Sequence, residues 1–280
     1  MNTFKTTLLL TAMTLFLIFV GGAFGGRGGI VGAMFFAILL NAGAYFFSDK
    51  IALKSAGAVP ISREESPRLY EVMERLAAKA NLPMPTLYLV PQAAPNAFAT
   101  GRNPSHASVA VTQGLMELMN DDELEGVIAH ELSHVRNYDI LTSSIAATLA
   151  GAITMIARFG GFFGGGGRSR NNGGAIVGLL MMFLAPIGAL LLQMGISRSR
   201  EYQADETGVK MVGHANGLIS ALEKLGSYNA RIPSSIPPTT AALCIVQPMQ
   251  IKQMFASLFS THPPLGDRIA VLRNMTIERP

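Results

Sequence analysis

The sequence predicts an α+β, mostly helical fold with an N-terminal transmembrane hairpin and a second hydrophobic hairpin inserted into its polar part. Three observations predict it. Long apolar runs occur in two pairs. Amphipathic helical stripes outnumber the short β-rich runs. A His-Glu-x-x-His motif and a Glu-x-x-x-Asp motif lie on either side of the second apolar pair, and they must meet in space if both serve one metal ion.

The first pair comprises residues 6–24 and 30–47, each of nearly membrane-spanning length, separated by Gly25-Gly26-Arg27-Gly28-Gly29. Lys5 before an apolar run also fits a cleaved signal peptide. A second apolar segment after a connector of only five residues favours a hairpin instead. Lys5 and the amino terminus precede the pair, Lys50, Lys54 and Arg63 follow it, and Arg27 alone lies between. The positive-inside rule then puts both ends, and the polar region from Ser48 onward, in the cytoplasm.

Two short β-rich runs, 86–90 and 108–112, flank the segment 96–101. Ahead of them, Ser66-Pro67 begins a helix by cap-then-proline logic. Leu69, Val72, Met73, Leu76 and Ala80 form its buried stripe, and Asn81-Leu82-Pro83 stops it. The next helix starts at Asn120-Asp121-Asp122-Glu123, an N-cap followed by acids in the first turn. Its apolar stripe is Leu124, Val127, Ile128, Leu132 and Val135, and it ends near Asn137-Tyr138-Asp139.

The second apolar pair is less regular. Residues 140–156 form a shorter run, and 175–196 form a full-length one containing Pro186, a kink that bilayers tolerate. A glycine- and arginine-rich loop, 160–174, joins them. Arg158, Arg168 and Arg170 oppose Arg136, Arg198 and Arg200, so the charge rule gives no vote. This pair either spans, re-enters or packs on the protein. After it come a helix around Glu201, another at 218–225, a Pro/Ser-rich loop at 232–240 and a helical region within 248–274. The expected units are a hairpin at 1–48, one split cytoplasmic domain at 49–139 and 197–280, and an insertion at 140–196.

Composition supports a membrane setting. The chain is 49% hydrophobic and 14% charged, with no tryptophan, which is too apolar for an ordinary soluble enzyme of its length. Its net charge of +4 suits a bilayer with acidic lipid. No aromatic-basic array and no phosphate-cradling glycine motif is present, so neither nucleic acid nor nucleotide is expected as a partner. The single Cys244 permits no intrachain disulfide, consistent with a reducing compartment, and is expected to serve as a small core hydrophobe.

The chemistry resides in His130-Glu131-Leu132-Ser133-His134. Residues four apart share a helix face, so both imidazoles can address one Zn2+ ion per chain. Glu131 is rotated off that line but stays beside the open metal position, where it can take a proton from water. A third protein ligand is needed, and Glu201 is the choice. Asp205, four residues on, shares its face and can orient a ligand histidine through the ring N–H. A plain surface helix, with these acids paired to Arg198 and Arg200, is the competing reading. The expected reaction is hydrolysis of peptide bonds in polypeptide substrates.

This constellation resembles the HtpX-like membrane zinc proteases, relatives of the CAAX-processing prenyl-protein endopeptidases in the gluzincin group. The resemblance covers essentially the whole chain. Two N-terminal spans, Asn96-Ala97-Phe98-Ala99-Thr100-Gly101, the extended run Val127–His134, two further hydrophobic segments, Glu201-Tyr202-Gln203-Ala204-Asp205 and His262-Pro263-Pro264-Leu265-Gly266-Asp267-Arg268 occur in the family's order. It implies a zincin-type metalloprotease domain, with Glu201 as third zinc ligand and Asp205 as partner of a ligand histidine. It also implies cleavage of damaged or misfolded membrane proteins, as stress-response quality control, at the cytoplasmic face of the bacterial inner membrane.

By the same resemblance His262 and Arg268 lie close to the metal. His262 is expected to donate to the oxyanion of the transition state, with Arg268 as its support or a substrate clamp. Without the family, His262 reads as a turn residue and Arg268 as a surface charge. The resemblance also makes Asn96, Ala97, Phe98 and Ala99 the expected substrate contacts, as an edge strand to which an extended peptide adds; without the family the stretch reads as a plain surface loop. His106 and His214 stand outside every motif and read as loop histidines. Two other functions stay open. An intramembrane protease would bury the motif in an apolar span, against the polar flanks 121–125 and 136–139. A non-enzymatic chaperone would have no need of Glu131.

Overall fold

The computed structural model describes residues 2–163, 198–229, 240, 243–245 and 263–275. The expected segment 175–196, the loop 232–239, most of the loop 160–174 and His262 lie outside the described residues.

Helix α1, Asn2–Ser55, is broken at Gly26, whose backbone (φ 56°, ψ −140°) only glycine adopts without strain. The connector is thus compressed into one residue, and the two arms fold back on each other. Asn41 Nδ2 in the second arm donates to Thr14 Oγ1 (2.8 Å) and to the Leu10 carbonyl (3.3 Å) in the first. Gly21 and Gly29 let the arms touch, since a Cβ on either would meet the other's backbone. Phe19, Leu15, Phe35 and Val31 point outward, each more than three-fifths exposed. The second arm runs on to Ser55, past the boundary expected at 48, because Ala52 and Leu53 are buried and hold the last turns. Leu53 packs with Val90, Phe98, Ala110 and Cys244.

Among the described residues one stretch, Gly25–Ser55, is long and apolar enough to cross a membrane; Thr6–Gly22 and Asp139–Ile153 are shorter. The latter opens helix α5, Asp139–Phe163. Its Ile145, Ala146, Leu149 and Ile153 pack on Leu9, Met13 and Ala44 of α1. The Thr6 and Thr142 hydroxyls hydrogen-bond across this contact at 2.9 Å. The first part of the third apolar run thus packs against the first hairpin, a contact compatible with each of the three arrangements.

Four strands form a sheet in the order β1-β2-β4-β3. They are β1 (Val59–Pro60), β2 (Thr86–Val90), β3 (Ala97–Gly101) and β4 (Ala107–Thr112). The two β-rich runs become β2 and β4, which pair in parallel, while β3 lies antiparallel to β4 at the sheet's edge. The two-residue β1, containing Pro60, gave no strand pattern in the sequence. Helix α2, Pro67–Ala80, buries its predicted stripe together with Ala77 and ends at Asn81 in the left-handed region (φ 55°). Ser66 starts it without a side-chain cap bond.

After the short α3 (Gln113–Leu118) comes α4, Asp121–Arg136, the central helix. Its capping box is complete: Glu123 N–H donates to Asn120 Oδ1, and Asn120 N–H to Glu123 Oε2, both at 2.9 Å. Glu123 also takes bonds from Lys224 Nζ (2.7 Å) and Ser220 Oγ. These tie α4 to α7, Asn216–Asn229, which is longer at both ends than expected. Helix α6, Arg198–Val212, packs along the other side of α4. Gly208 of α6 lies against the backbone of Ala129 and His130, where a Cβ would come within 3.1 Å. That close approach brings the Glu201 helix onto the metal-motif helix. Helix α8, Leu265–Arg273, closes over α6 and α7.

Candidate metal centre

Helical spacing puts His130 and His134 on one face of α4, and their rings sit edge to face at 4.9 Å. The returning α6 places Glu201 opposite both. Its Oε2 lies 3.6 Å from His130 Nε2, and its Oε1 lies 3.6 Å from His134 Nε2. The three donors converge within 4.8 Å of one another. Among the described residues His130 Nε2 is buried without a hydrogen-bond partner, an arrangement that a metal ion at this point would satisfy.

Each ring offers its other nitrogen to a carboxylate. His130 Nδ1 lies 2.8 Å from Asp205 Oδ1. Arg268 grips Asp205 with two bonds, Nε to Oδ2 at 2.8 Å and Nη2 to Oδ1 at 2.6 Å. Arg268 is fully buried, far from the surface charge that its position alone suggested. Its cation, more than the hydrogen bonds it donates, holds the Asp205 carboxyl below its usual range against the upward push of burial. His134 Nδ1 lies 3.4 Å from Asp139 Oδ2, and Arg200 Nη1 reaches the other oxygen of Asp139 at 3.3 Å. Sequence reasoning missed Asp139 and this use of Arg200. Their only signals are a carboxylate five residues after His134 and an arginine beside Glu201.

The charge balance also favours a cation. Four buried carboxylates (Glu131, Asp139, Glu201, Asp205) face two buried guanidiniums, Arg200 and Arg268. Burial and Arg268 push the His130 pKa down, yet the adjacent Asp205 and Glu201 carboxylates outweigh them and raise it to about 9. Glu131 is nine-tenths or more enclosed beside the two rings. Burial raises its carboxyl above the usual value, opposed by His130, His134 and a hydrogen bond from the Ala99 backbone.

Strand β3 runs beside the metal motif. Asn96, Ala97 and Phe98 are each about 1% exposed and Ala99 6%. The outer side of β3 is in use: Ile245 N–H donates to the Ala97 carbonyl at 2.9 Å, and Arg268 Nη1 donates to the Ile245 carbonyl at 3.1 Å. Neighbouring Cys244 is buried, and burial pushes its thiol pKa up. His106, expected in a loop, is exposed at the end of a short 3-10 turn, Pro104–His106, and bonded to Asn103.

A helix-borne histidine pair, a facing glutamate and a buried carboxylate beside them, on a mostly helical domain with a small sheet, define a metallopeptidase. The chain belongs to peptidase family M48, which it matches over residues 63–276. It is 52% identical over 279 residues to the "Protease HtpX homolog" of Desulfatibacillum aliphaticivorans, covering 97% of this chain and 89% of that one. The protein of the same name from Pelotomaculum thermopropionicum is 48% identical over 282 residues, covering 99% and 100% of the two chains. The fold is similar to the crystal structure of S. mikatae Ste24p, with a TM-score of 0.52 at 19% identity, covering 97% of this chain and 65% of that one. The protein is therefore a membrane-associated protease of the metalloprotease type, acting on polypeptides.

Proposed function

We propose that the chain is a zinc-dependent endopeptidase, multi-pass in the bacterial inner membrane, that cleaves misfolded or damaged membrane proteins at the cytoplasmic face. The observation that carries the reading is the orphaned His130 Nε2, aimed with His134 and Glu201 at one point beside the buried Glu131. Imidazole and carboxylate donors suit zinc. When bound there, the ion supplies Lewis-acid polarisation of the scissile carbonyl and of the attacking water.

The chain's own groups do the rest. Glu131 takes a proton from the attacking water and returns one to the leaving amine. Asp205 and Arg268 hold the His130 ring with Nε2 directed inward. His262 donates to the developing oxyanion, and Arg268 acts through Asp205. An extended substrate adds to β3 along Asn96, Ala97, Phe98 and Ala99, taking the position against Ala97 that Ile245 holds. The cytoplasmic placement rests on Lys5, Lys50 and Lys54 at the hairpin's ends, and the membrane substrates on the start of α5 directly after α4.

The test is wild type against Glu131→Gln, each in detergent, assayed for bound zinc and for casein cleavage. One zinc in both, with turnover lost by about 10²–10⁴-fold only in the variant, supports the reading. Zinc in both with no cleavage by either of casein or a membrane protein would instead favour a chaperone.

A further inference from the structure

We propose that Asp139 and Arg200 are positioning residues for the metal ligand His134. They form a second carboxylate–arginine support that ties the centre to both ends of the inserted hydrophobic segment. The proposal deepens the zinc-protease reading and rests on it.

The two histidines are held in the same chemical manner by unrelated parts of the chain. His130 leans on Asp205, four residues after Glu201, and Asp205 is gripped by Arg268 of α8. His134 leans on Asp139, the first residue of α5, and Asp139 is approached by Arg200 in the first turn of α6. In both cases Nδ1 faces the carboxylate, which leaves Nε2 for Glu201 and the metal. All four supporting side chains are at least nine-tenths buried. A carboxylate in that position fixes the ring tautomer with its proton on Nδ1 and sharpens the ring's orientation.

Asp139 is suited to this by its two oxygens. Oδ2 faces the histidine while Oδ1 takes the arginine, so neither contact excludes the other. Tyr138, at φ 58°, makes the sharp bend that turns Asp139 back toward α4. Arg200 is 5% exposed, and among the described residues its Nε and Nη2 have no hydrogen-bond partner. Such a buried cation has little reason to be there except the carboxylate it neutralises. The contacts are longer than those of the Asp205 pair, which makes this the looser of the two supports. Because Asp139 opens α5 and Arg200 opens α6, displacement of either apolar flank would pull on His134 directly.

A mere brace between α5 and α6 would show the same contacts, so the test must read the metal. Zinc dissociation constants are measured by chelator competition on the full chain in detergent, for wild type, Asp139→Asn, Asp139→Glu, Arg200→Lys and Asp205→Asn. Melting temperatures are taken with and without zinc. Asp139→Asn and Asp205→Asn should each weaken zinc by about 10–100-fold and shrink the rise in melting temperature that zinc produces. Asp139→Glu, which keeps the charge, should recover part of that loss, and Arg200→Lys should weaken zinc less than Asp139→Asn. Zinc affinity within twofold of wild type for Asp139→Asn, with only the zinc-free melting lowered, would reduce the pair to a brace. A wild type that binds no zinc would overturn the protease reading as well, so the two failures are distinct.

Discussion

The N-terminal hairpin and the metal centre break the oil-drop rule in opposite directions. In the hairpin the large apolar side chains face outward, Phe19 at 74% and Phe35 at 65% exposure, while Asn41 and Thr14 bond between the arms. At the metal centre the charges are inside, with Arg268 and Asp205 at 0% and Glu131 at 1%. An outward apolar surface is stable only where something apolar surrounds it, and an inward charge cluster only where every charge is answered. Each region therefore calls for its own surroundings, an apolar medium for the one and balancing positive charge for the other.

Three substitutions probe that contrast, in decreasing order of effect. Arg268→Met should be the most damaging, since it strands the buried Asp205. A loss of about 3–5 kcal/mol is expected in chemical unfolding, and a loss below about 1 kcal/mol would show that the charge cluster is not balanced as described. Phe35→Arg tests the other side. Placed in the second arm, the charge should cost about 2.5–3.5 kcal/mol of membrane insertion, read as the fraction resisting alkaline extraction. Unchanged extraction would mean that this face does not meet lipid. The smallest effect is expected from Asn41→Leu, which removes the bond to Thr14 and should lower stability by about 0.6–1.7 kcal/mol in detergent melting. A gain in stability would show that the arms are held by packing alone.

Whatever is set by spacing within one element was legible before the fold. The i, i+4 histidines, the Glu201–Asp205 pair, the Asn120 N-cap and the stripe of α2 are each fixed by helix geometry. The meeting of α4 with α6 followed from the ligand count a metal demands, not from any local pattern. What stayed hidden depends on contacts between distant segments. Asp139 reaches His134 only because Tyr138 adopts a left-handed conformation, and it meets Arg200 only because the chain returns after a long insertion. Ile245 lies in a stretch with no periodic signal, so its bond to Ala97 could not be foreseen. The two-residue β1 was too short to read.

The Ile245–Ala97 bond has a thermodynamic consequence. If substrate adds to β3 as proposed, it would not find an unsatisfied carbonyl at Ala97; it would exchange one amide donor for another, with almost no net hydrogen-bond gain there. Whatever binds must draw its affinity from contacts further along the strand, and only a segment already unravelled over several residues can reach them. On that reading the occupied edge would act as a length filter, passing over brief excursions of folded neighbours and admitting chains that have lost their structure.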